Sequence, residues 1–259
     1  MNEHKKSPSW LGFLIRFLSF SFVLGATGIF VILTVPSYVE TLFGTGTDVE
    51  VNKPCEQECI VIDPGHGGED GGAGADDGTL EKELNLEIGT LLADLCRISG
   101  HNVVMTRTTD TQIYGLYNDL DDYSGHKKVY DLRNRLRLTK ESGGTLFVSI
   151  HMNKFPAASC TGTQVYYSPN DARSRDLAGL IQAYAKQYLQ PENDRVIKEA
   201  GSSIFLLKQI DIPAALVECG FLSSESDLAA LQNPDYRRDF ALTVFCALAE
   251  YMTSPGNKA

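Results

Sequence analysis

Short apolar segments alternate with amphipathic segments along most of this 259-residue chain, and this alternation limits the fold more than any other feature. Strands separated by helices form a mostly parallel sheet that helices cover on both faces. We therefore predict one α/β domain over residues 59–252, followed by a tail at 253–259. The predicted strands are 59–62, 102–106, 146–150, 164–167, 204–207 and 214–217, and the predicted helices are one from about 84 toward 100, 131–141, 173–189 and 235–252.

The first forty residues have a different character. Residues 17–35 are uncharged and mostly apolar, close to the ~20 residues that cross a membrane. Three basic residues precede this run, which places the N-terminus in the cytoplasm. We predict a cytoplasmic stub and transmembrane anchor at 1–39, a linker at 40–58 and an extracytoplasmic domain. A cleaved signal and secretion is the alternative, although the apolar run continues past its small residues.

Charge and cysteine content exclude several functions. The chain has 23 basic and 33 acidic residues, a formal charge of −10, so nucleic acid is not an expected partner. Its six cysteines include no CxxC pair, which argues against a zinc ribbon. Cys55 and Cys59 are able to form a disulfide outside the cytoplasm, but their spacing does not require one.

Three predicted strands end at residues that bind metals or move protons. His66 follows the first strand, His151 follows the strand at 146–150, and Glu218 follows the strand at 214–217. Open parallel sheets place their sites at the carboxyl ends of the strands. One histidine at such a position is more often structural, but two with a carboxylate favour a site.

Glu81 is the fourth candidate, chosen by its position on a predicted helix. At 100° per residue it lies about 60° from Leu84, at the edge of the apolar stripe, whereas Lys82 and Glu83 point away. The alternative is that Glu81 only complements the helix dipole. The stripe is formed by Leu84, Ile88, Leu91 and Leu95.

His66, Glu81 and His151 together form a ligand set that suits a catalytic zinc. Such a zinc has three protein ligands and an open position, whereas structural zinc more often has four. Glu218 is then free to move the proton of the attacking water. Cys219 points to the opposite face of its strand, so it is not expected at the metal.

Arg107 follows the strand at 102–106. An arginine at this position suits either a substrate carboxylate or a structural ion pair, and the sequence leaves both open.

The chain resembles the zinc-dependent N-acetylmuramoyl-L-alanine amidases over essentially all of residues 59–252. The resemblance implies that His66, Glu81 and His151 hold one zinc ion per chain and that Glu218 is the catalytic glutamate. It also implies a single domain with a twisted sheet of about six strands, and hydrolysis of the amide between the lactyl group of N-acetylmuramic acid and L-alanine in peptidoglycan. The matching segments are 60–68 (IVIDPGHGG), 80–84 (LEKEL), 149–153 (SIHMN) and 216–223 (LVECGFLS).

The anchor, the single domain and residues 130–138 (YDLRNRLRL) are similar to the germination-specific amidases of spore-forming bacteria. That resemblance implies peptide removal in spore cortex on the way to muramic-δ-lactam. The alternatives are a general wall amidase for cell separation or turnover, another zinc wall hydrolase (a peptidase or deacetylase), or a membrane-tethered scaffold. The scaffold is disfavoured because all four groups are present. Peptidoglycan and the membrane are the expected partners, and an accessory activator protein is left open.

Overall fold

The computed structural model describes residues 58–157 and 160–254. Within them lie six strands and six helices, which alternate along the chain except that β3 is followed by β4 and α5 by α6. The strands are β1 (Cys59–Pro64), β2 (Asn102–Met105), β3 (Leu146–Asn153), β4 (Gln164–Tyr167), β5 (Lys198–Glu199) and β6 (Ala214–Phe221). The helices are α1 (Glu81–Ile98), α2 (Lys127–Glu141), α3 (Arg173–Tyr188), α4 (Phe205–Gln209), α5 (Glu225–Gln232) and α6 (Pro234–Thr253).

The strands of the described residues form one sheet in the order β2-β1-β3-β6-β4-β5. The first four of these are parallel, β4 runs antiparallel to β6, and β5 runs parallel to β4. Because β1, β3 and β6 are parallel neighbours, their carboxyl ends meet at one edge. The register pairs Asp63 with Ser149 and His151 with Glu218, which brings three strand ends together at that edge.

The sheet separates two hydrophobic clusters of unequal size. The larger one packs the sheet against α1, α3 and α6, with Ile88, Ile181 and Phe240 fully buried. The smaller one packs the other face against α2 and α4. Side chains alternate between the faces along a strand. Since Phe147 belongs to the smaller cluster, His151, four residues later in β3, lies on that face.

The predicted α/β class and the mostly parallel six-stranded sheet are confirmed. The strand predicted at 204–207 is wrong, because Phe205–Gln209 is the short helix α4. Leu206 and Leu207 are buried in this helix. A short apolar run is expected for a buried strand as well as for a buried helix turn, so the sequence pattern alone does not distinguish them. The sequence analysis also missed β5, which is two exposed residues long, and α5, which is capped by the Ser224 hydroxyl.

Residues 1–57 lie outside the described residues, and so do the predicted anchor, most of the predicted linker and Cys55. Among the helices of the described part, none combines the length and apolarity needed to span a bilayer. The domain boundaries predicted at 39 and 58 therefore stay predictions.

Candidate metal centre

His66 lies in a glycine-rich loop that connects the end of β1 to the start of α1. His66 has a left-handed backbone, with φ of 63°, which is uncommon for a residue with a side chain. The ring of His151 lies directly against Gly65, where any Cβ would overlap it. A Cβ on Gly72 would lie 2.5 Å from Glu81 Oε2 and 2.7 Å from His66 Cδ2. These two glycines are needed because the loop backbone passes against the side chains of the site.

His66, Glu81 and His151 converge on one point, as the sequence predicts. Glu81 Oε1 lies 3.2 Å from His66 Nε2 and 2.8 Å from His151 Nδ1. One ligand atom from each residue lies within 4.8 Å of the other two. The Glu81 carboxylate is 4% exposed, whereas the two imidazoles are 18% and 19% exposed, so the cluster is open to solvent on the histidine side.

Hydrogen bonds hold the Glu81 carboxylate in place. Oε2 accepts a hydrogen bond from the amide of Ala73 at 2.6 Å, and Oε1 accepts one from the amide of Met152 at 3.0 Å. Burial raises the pKa of Glu81, but hydrogen bonds from His151 and His66 outweigh it and hold the pKa far below its usual range. Glu81 is therefore an ionised, preoriented carboxylate, and its role is more than compensation of the helix dipole.

Asp70 lies beside the second nitrogen of His66. Its Oδ2 is 3.1 Å from His66 Nδ1, although the angle is outside the range of a hydrogen bond. Lys128 Nζ is 3.4 Å from the same oxygen. Metal-binding histidines usually donate their other N–H to a carboxylate or carbonyl, and Asp70 is placed for this. The sequence analysis missed Asp70, because an acidic residue in an irregular loop has no periodicity to mark it.

Two buried arginines bind the backbone of the His66 loop. Arg107, at the end of β2, donates to the carbonyls of Pro64 (2.9 Å) and Gly65 (2.9 Å), and also to Lys82 O at 2.7 Å. Arg135, on α2, donates to Pro64 O at 2.8 Å and to His66 O at 2.6 Å. Arg107 is 2% exposed, so it is out of reach of a substrate carboxylate. Its hydrogen bonds go to backbone carbonyls, so both alternatives from the sequence, a bound substrate carboxylate and a structural ion pair, are corrected.

Asp63 joins this loop to β3 and α2. Its carboxylate accepts hydrogen bonds from Thr106 Oγ1 at 2.6 Å, Arg135 Nη1 at 2.7 Å and Ser149 Oγ at 2.6 Å. Burial raises the pKa of Asp63, but the charge of Arg135 and these hydrogen bonds outweigh it and lower the pKa. The buried ion pair is fully hydrogen-bonded, which is the arrangement that makes such a pair stable.

Glu218 is adjacent to His151 across the β3–β6 pair and shares its face of the sheet. Its Oε2 is inaccessible and has no hydrogen-bond partner among the described residues. Burial raises the pKa of Glu218 to about 7. A carboxyl group with a pKa near neutrality both accepts and donates a proton at physiological pH.

Cys219 lies on the other face, fully buried in the larger hydrophobic cluster. Its separation from the metal ligand atoms agrees with the prediction from strand alternation.

Two imidazoles and a carboxylate with ligand atoms within 4.8 Å of one another, and a second carboxylate paired beside His151, form a candidate metal site on an α/β sheet, of the kind that metallohydrolases use. The structure thus brings together all four residues that the sequence singles out. The chain belongs to the N-acetylmuramoyl-L-alanine amidase family, whose model matches residues 60–250. It is accordingly an amidase that acts on peptidoglycan.

Individual relatives agree with this membership. The chain is 33% identical over 204 residues to the germination-specific N-acetylmuramoyl-L-alanine amidase of Bacillus subtilis, covering 79% of this chain and 84% of that protein. It also resembles the CwlD amidase of Clostridioides difficile, solved in complex with the GerS lipoprotein. The TM-score is 0.70 at 34% identity, over 76% of this chain and 99% of that one. The amidase AmiC2 of Nostoc punctiforme has a TM-score of 0.63 at 27% identity, over 76% and 98% of the chains.

Proposed function

We propose that the amidase uses one zinc ion per chain, held by His66, Glu81 and His151. The observation that carries this proposal is the convergence of the three side chains, with ligand atoms within 4.8 Å of one another. Two neutral imidazoles and a carboxylate are the donor set of many catalytic zinc sites, and the exposed histidine side leaves room for substrate. The loop backbone at Gly65 and Gly72 lies directly against these side chains and so limits their movement.

Zinc, when bound, polarises the amide carbonyl and lowers the pKa of water. Glu218 accepts the proton of the attacking water at its carboxylate and then donates it to the nitrogen of the leaving L-alanine. Its position next to His151 and its raised pKa support both steps. Glu81 stays ionised throughout, because its hydrogen bonds stabilise the charged form.

Mass spectrometry of muropeptides tests this chemistry. The full-length chain, solubilised and supplied with zinc, is incubated with peptidoglycan fragments that carry stem peptides. We expect free stem peptide and glycan with a bare lactyl carboxylate, both lost when a chelator is added. A new peptide or glycan end, with no free lactyl group, would instead identify a peptidase or a deacetylase.

The biological role we propose is peptide removal from spore cortex, which leads to muramic-δ-lactam and permits germination. It is supported by the likeness to the germination-specific amidase of B. subtilis. Loss of the gene should abolish muramic-δ-lactam in spores and leave separation of vegetative cells intact. Normal δ-lactam content with chained cells would favour the general wall amidase.

We also propose that residues 17–35 anchor the enzyme with its catalytic domain outside the cytoplasm, and that a lipoprotein assists it. The apolar run and the lipoprotein bound to the C. difficile relative support these two points. Protease added to intact cells should digest the catalytic domain predicted at residues 59–252, and carbonate washing should leave the chain in the membrane. A chain that binds zinc but cleaves only when a lipoprotein is added would support the accessory partner.

A further inference from the structure

The segment that contains Arg195 leads into the edge strand β5, and a side chain of β4 links it to the strand pair that contains Glu218. Gln164, the first residue of β4, pairs with Glu218 across the antiparallel β4–β6 ladder. The side-chain amide of Gln164 donates to the carbonyl of Val196 at 2.7 Å. Residues opposite each other in such a ladder have Cβ atoms about 5 Å apart. Gln164 therefore both pairs with Glu218 and binds the backbone of the residue next to Arg195.

Two contacts orient the Arg195 guanidinium. Its Nε donates to the carbonyl of Thr161 at 2.7 Å, and its Cζ lies 4.6 Å from the centre of the Phe221 ring. Phe221 is on β6, three residues after Glu218. This geometry uses the face of the guanidinium and its Nε–H, so the two terminal NH₂ groups remain as donors for another partner.

Those NH₂ groups bind no carboxylate within residues 58–157 and 160–254. Nε to Thr161 is the guanidinium's hydrogen bond in that part of the chain, and none of the ion pairs there includes Arg195. The terminal NH₂ groups of Arg107 and Arg135, by contrast, already donate hydrogen bonds to carbonyls of the His66 loop. Arg195 is thus an oriented arginine near the site whose terminal NH₂ groups have no acidic partner in the described residues, whereas the terminal NH₂ groups of Arg107 bind carbonyls.

Tyr166 supports this placement from the same face of the sheet. It lies two residues after Gln164 in β4, so its side chain shares the face of Gln164 and Glu218. Burial raises the pKa of Tyr166, the charge of Glu218 raises it further, and the charge of Arg195 lowers it. Glu218 and Arg195 are therefore both near enough for their charges to act on the phenol of Tyr166.

We propose that Arg195 binds a carboxylate of the stem peptide and selects substrates in which that carboxylate is free. This inference rests on the proposed function. The lactyl carboxyl group is part of the scissile amide and the N-acetylated sugars are neutral, so the acidic groups of the substrate are in its peptide. A planar guanidinium binds a carboxylate through two parallel hydrogen bonds. In a chain of charge −10, such a cation also offsets repulsion of an acidic peptide.

The test compares two muropeptides, one with free stem-peptide carboxylates and one with the same carboxylates amidated. The full-length enzyme and its R195A and R195K variants are assayed for kcat and KM on both, with the product identified by mass spectrometry. We expect the wild type to prefer the free carboxylate, and this preference in kcat/KM to fall about tenfold in R195A, mostly through KM. R195K keeps the charge without the planar fork, so it should retain part of the preference.

R175A is the matched control, because Arg175 is an exposed arginine on α3 that makes no ion pair in the described residues. It should keep the wild-type preference. An equal loss of kcat/KM on both substrates in R195A would overturn the proposal, because it would indicate a structural role. A wild type that cleaves both equally well would overturn it too. A wild type that cleaves neither, even when a lipoprotein is added, would instead refute the proposed function, and the role of Arg195 with it.

Discussion

Asp70 Oδ2 lies 3.1 Å from Nδ1 of His66, while Nε2 of the same ring faces Glu81 Oε1 at 3.2 Å. The two ring nitrogens therefore face two carboxylates, one in the proposed metal site and one behind it. We predict that Asp70 accepts the Nδ1–H of His66, and so orients the ring, when a metal binds. The affinity for zinc should therefore depend on Asp70.

D70A should bind zinc about tenfold or more weakly than the wild type, because His66 loses the carboxylate that orients it. Competition with a chromophoric chelator measures the affinity. E69A is the matched control, since Glu69 is the neighbouring exposed carboxylate and pairs with Lys127. Equal affinities in D70A and the wild type would show that Asp70 does not support the ligand.

G72A should also weaken metal binding. A Cβ at this position would lie 2.5 Å from Glu81 Oε2 and 2.7 Å from His66 Cδ2, so two proposed ligands must move. G78A is the matched control, because Gly78 has a left-handed φ of 94° and open space around it. Both variants should lose about 1 kcal/mol of stability from backbone strain, but only G72A should lose zinc affinity. Chemical denaturation and chelator competition separate the two effects, and equal zinc affinity in both variants would contradict the prediction.

E218Q should retain zinc and lose at least about 10²-fold of kcat, since the amide neither accepts nor donates the proton in the way that the carboxyl group does. Glu218 has no hydrogen-bond partner at Oε2 in the described residues, so an amide of equal size fits without breaking a contact there. Zinc content and the muropeptide assay give the two readouts. Turnover close to that of the wild type, with zinc bound, would exclude Glu218 as the group that transfers the proton.

The buried Asp63–Arg135 pair should make folding sensitive to acid. The pKa of Asp63 is lowered in the folded state, so the folded carboxyl group binds its proton more weakly than the unfolded one. Its contribution is complete above the unfolded pKa of about 3.9 and is lost as the pH falls through that value toward the folded pKa. D63N should be less stable by about 3 kcal/mol at pH 7, because buried Arg135 loses one of its two carboxylate partners and keeps only Asp131.

Urea unfolding from pH 7 to pH 2 measures this linkage. The wild type should lose stability on acidification more steeply than D63N, and the two curves should approach each other at the acidic end. Parallel curves over the whole range would show that Asp63 does not contribute to the pH dependence.

Much of the candidate site is predictable from local patterns. His66, His151 and Glu218 each follow an apolar strand, and Glu81 lies at the edge of a helical stripe, so strand ends and helical period make all four candidates, and the family resemblance selects them as a set. The prediction failed where a short segment has no distinctive period. Residues 204–207 are equally apolar as a strand or as a helix turn, and only their packing under the sheet selects the helix.

The sequence by itself determined the α/β class, the approximate positions of the longer strands and helices, and the four groups of the candidate site, because each is encoded by neighbours within one or two turns. Only the tertiary structure decided what surrounds those groups. Arg135 reaches His66 O across 69 residues, and Gln164 reaches Val196 O across 32. Such contacts depend on which loops the sheet brings together, so the burial of Arg107 and the contacts that orient Arg195 leave no mark in the local sequence.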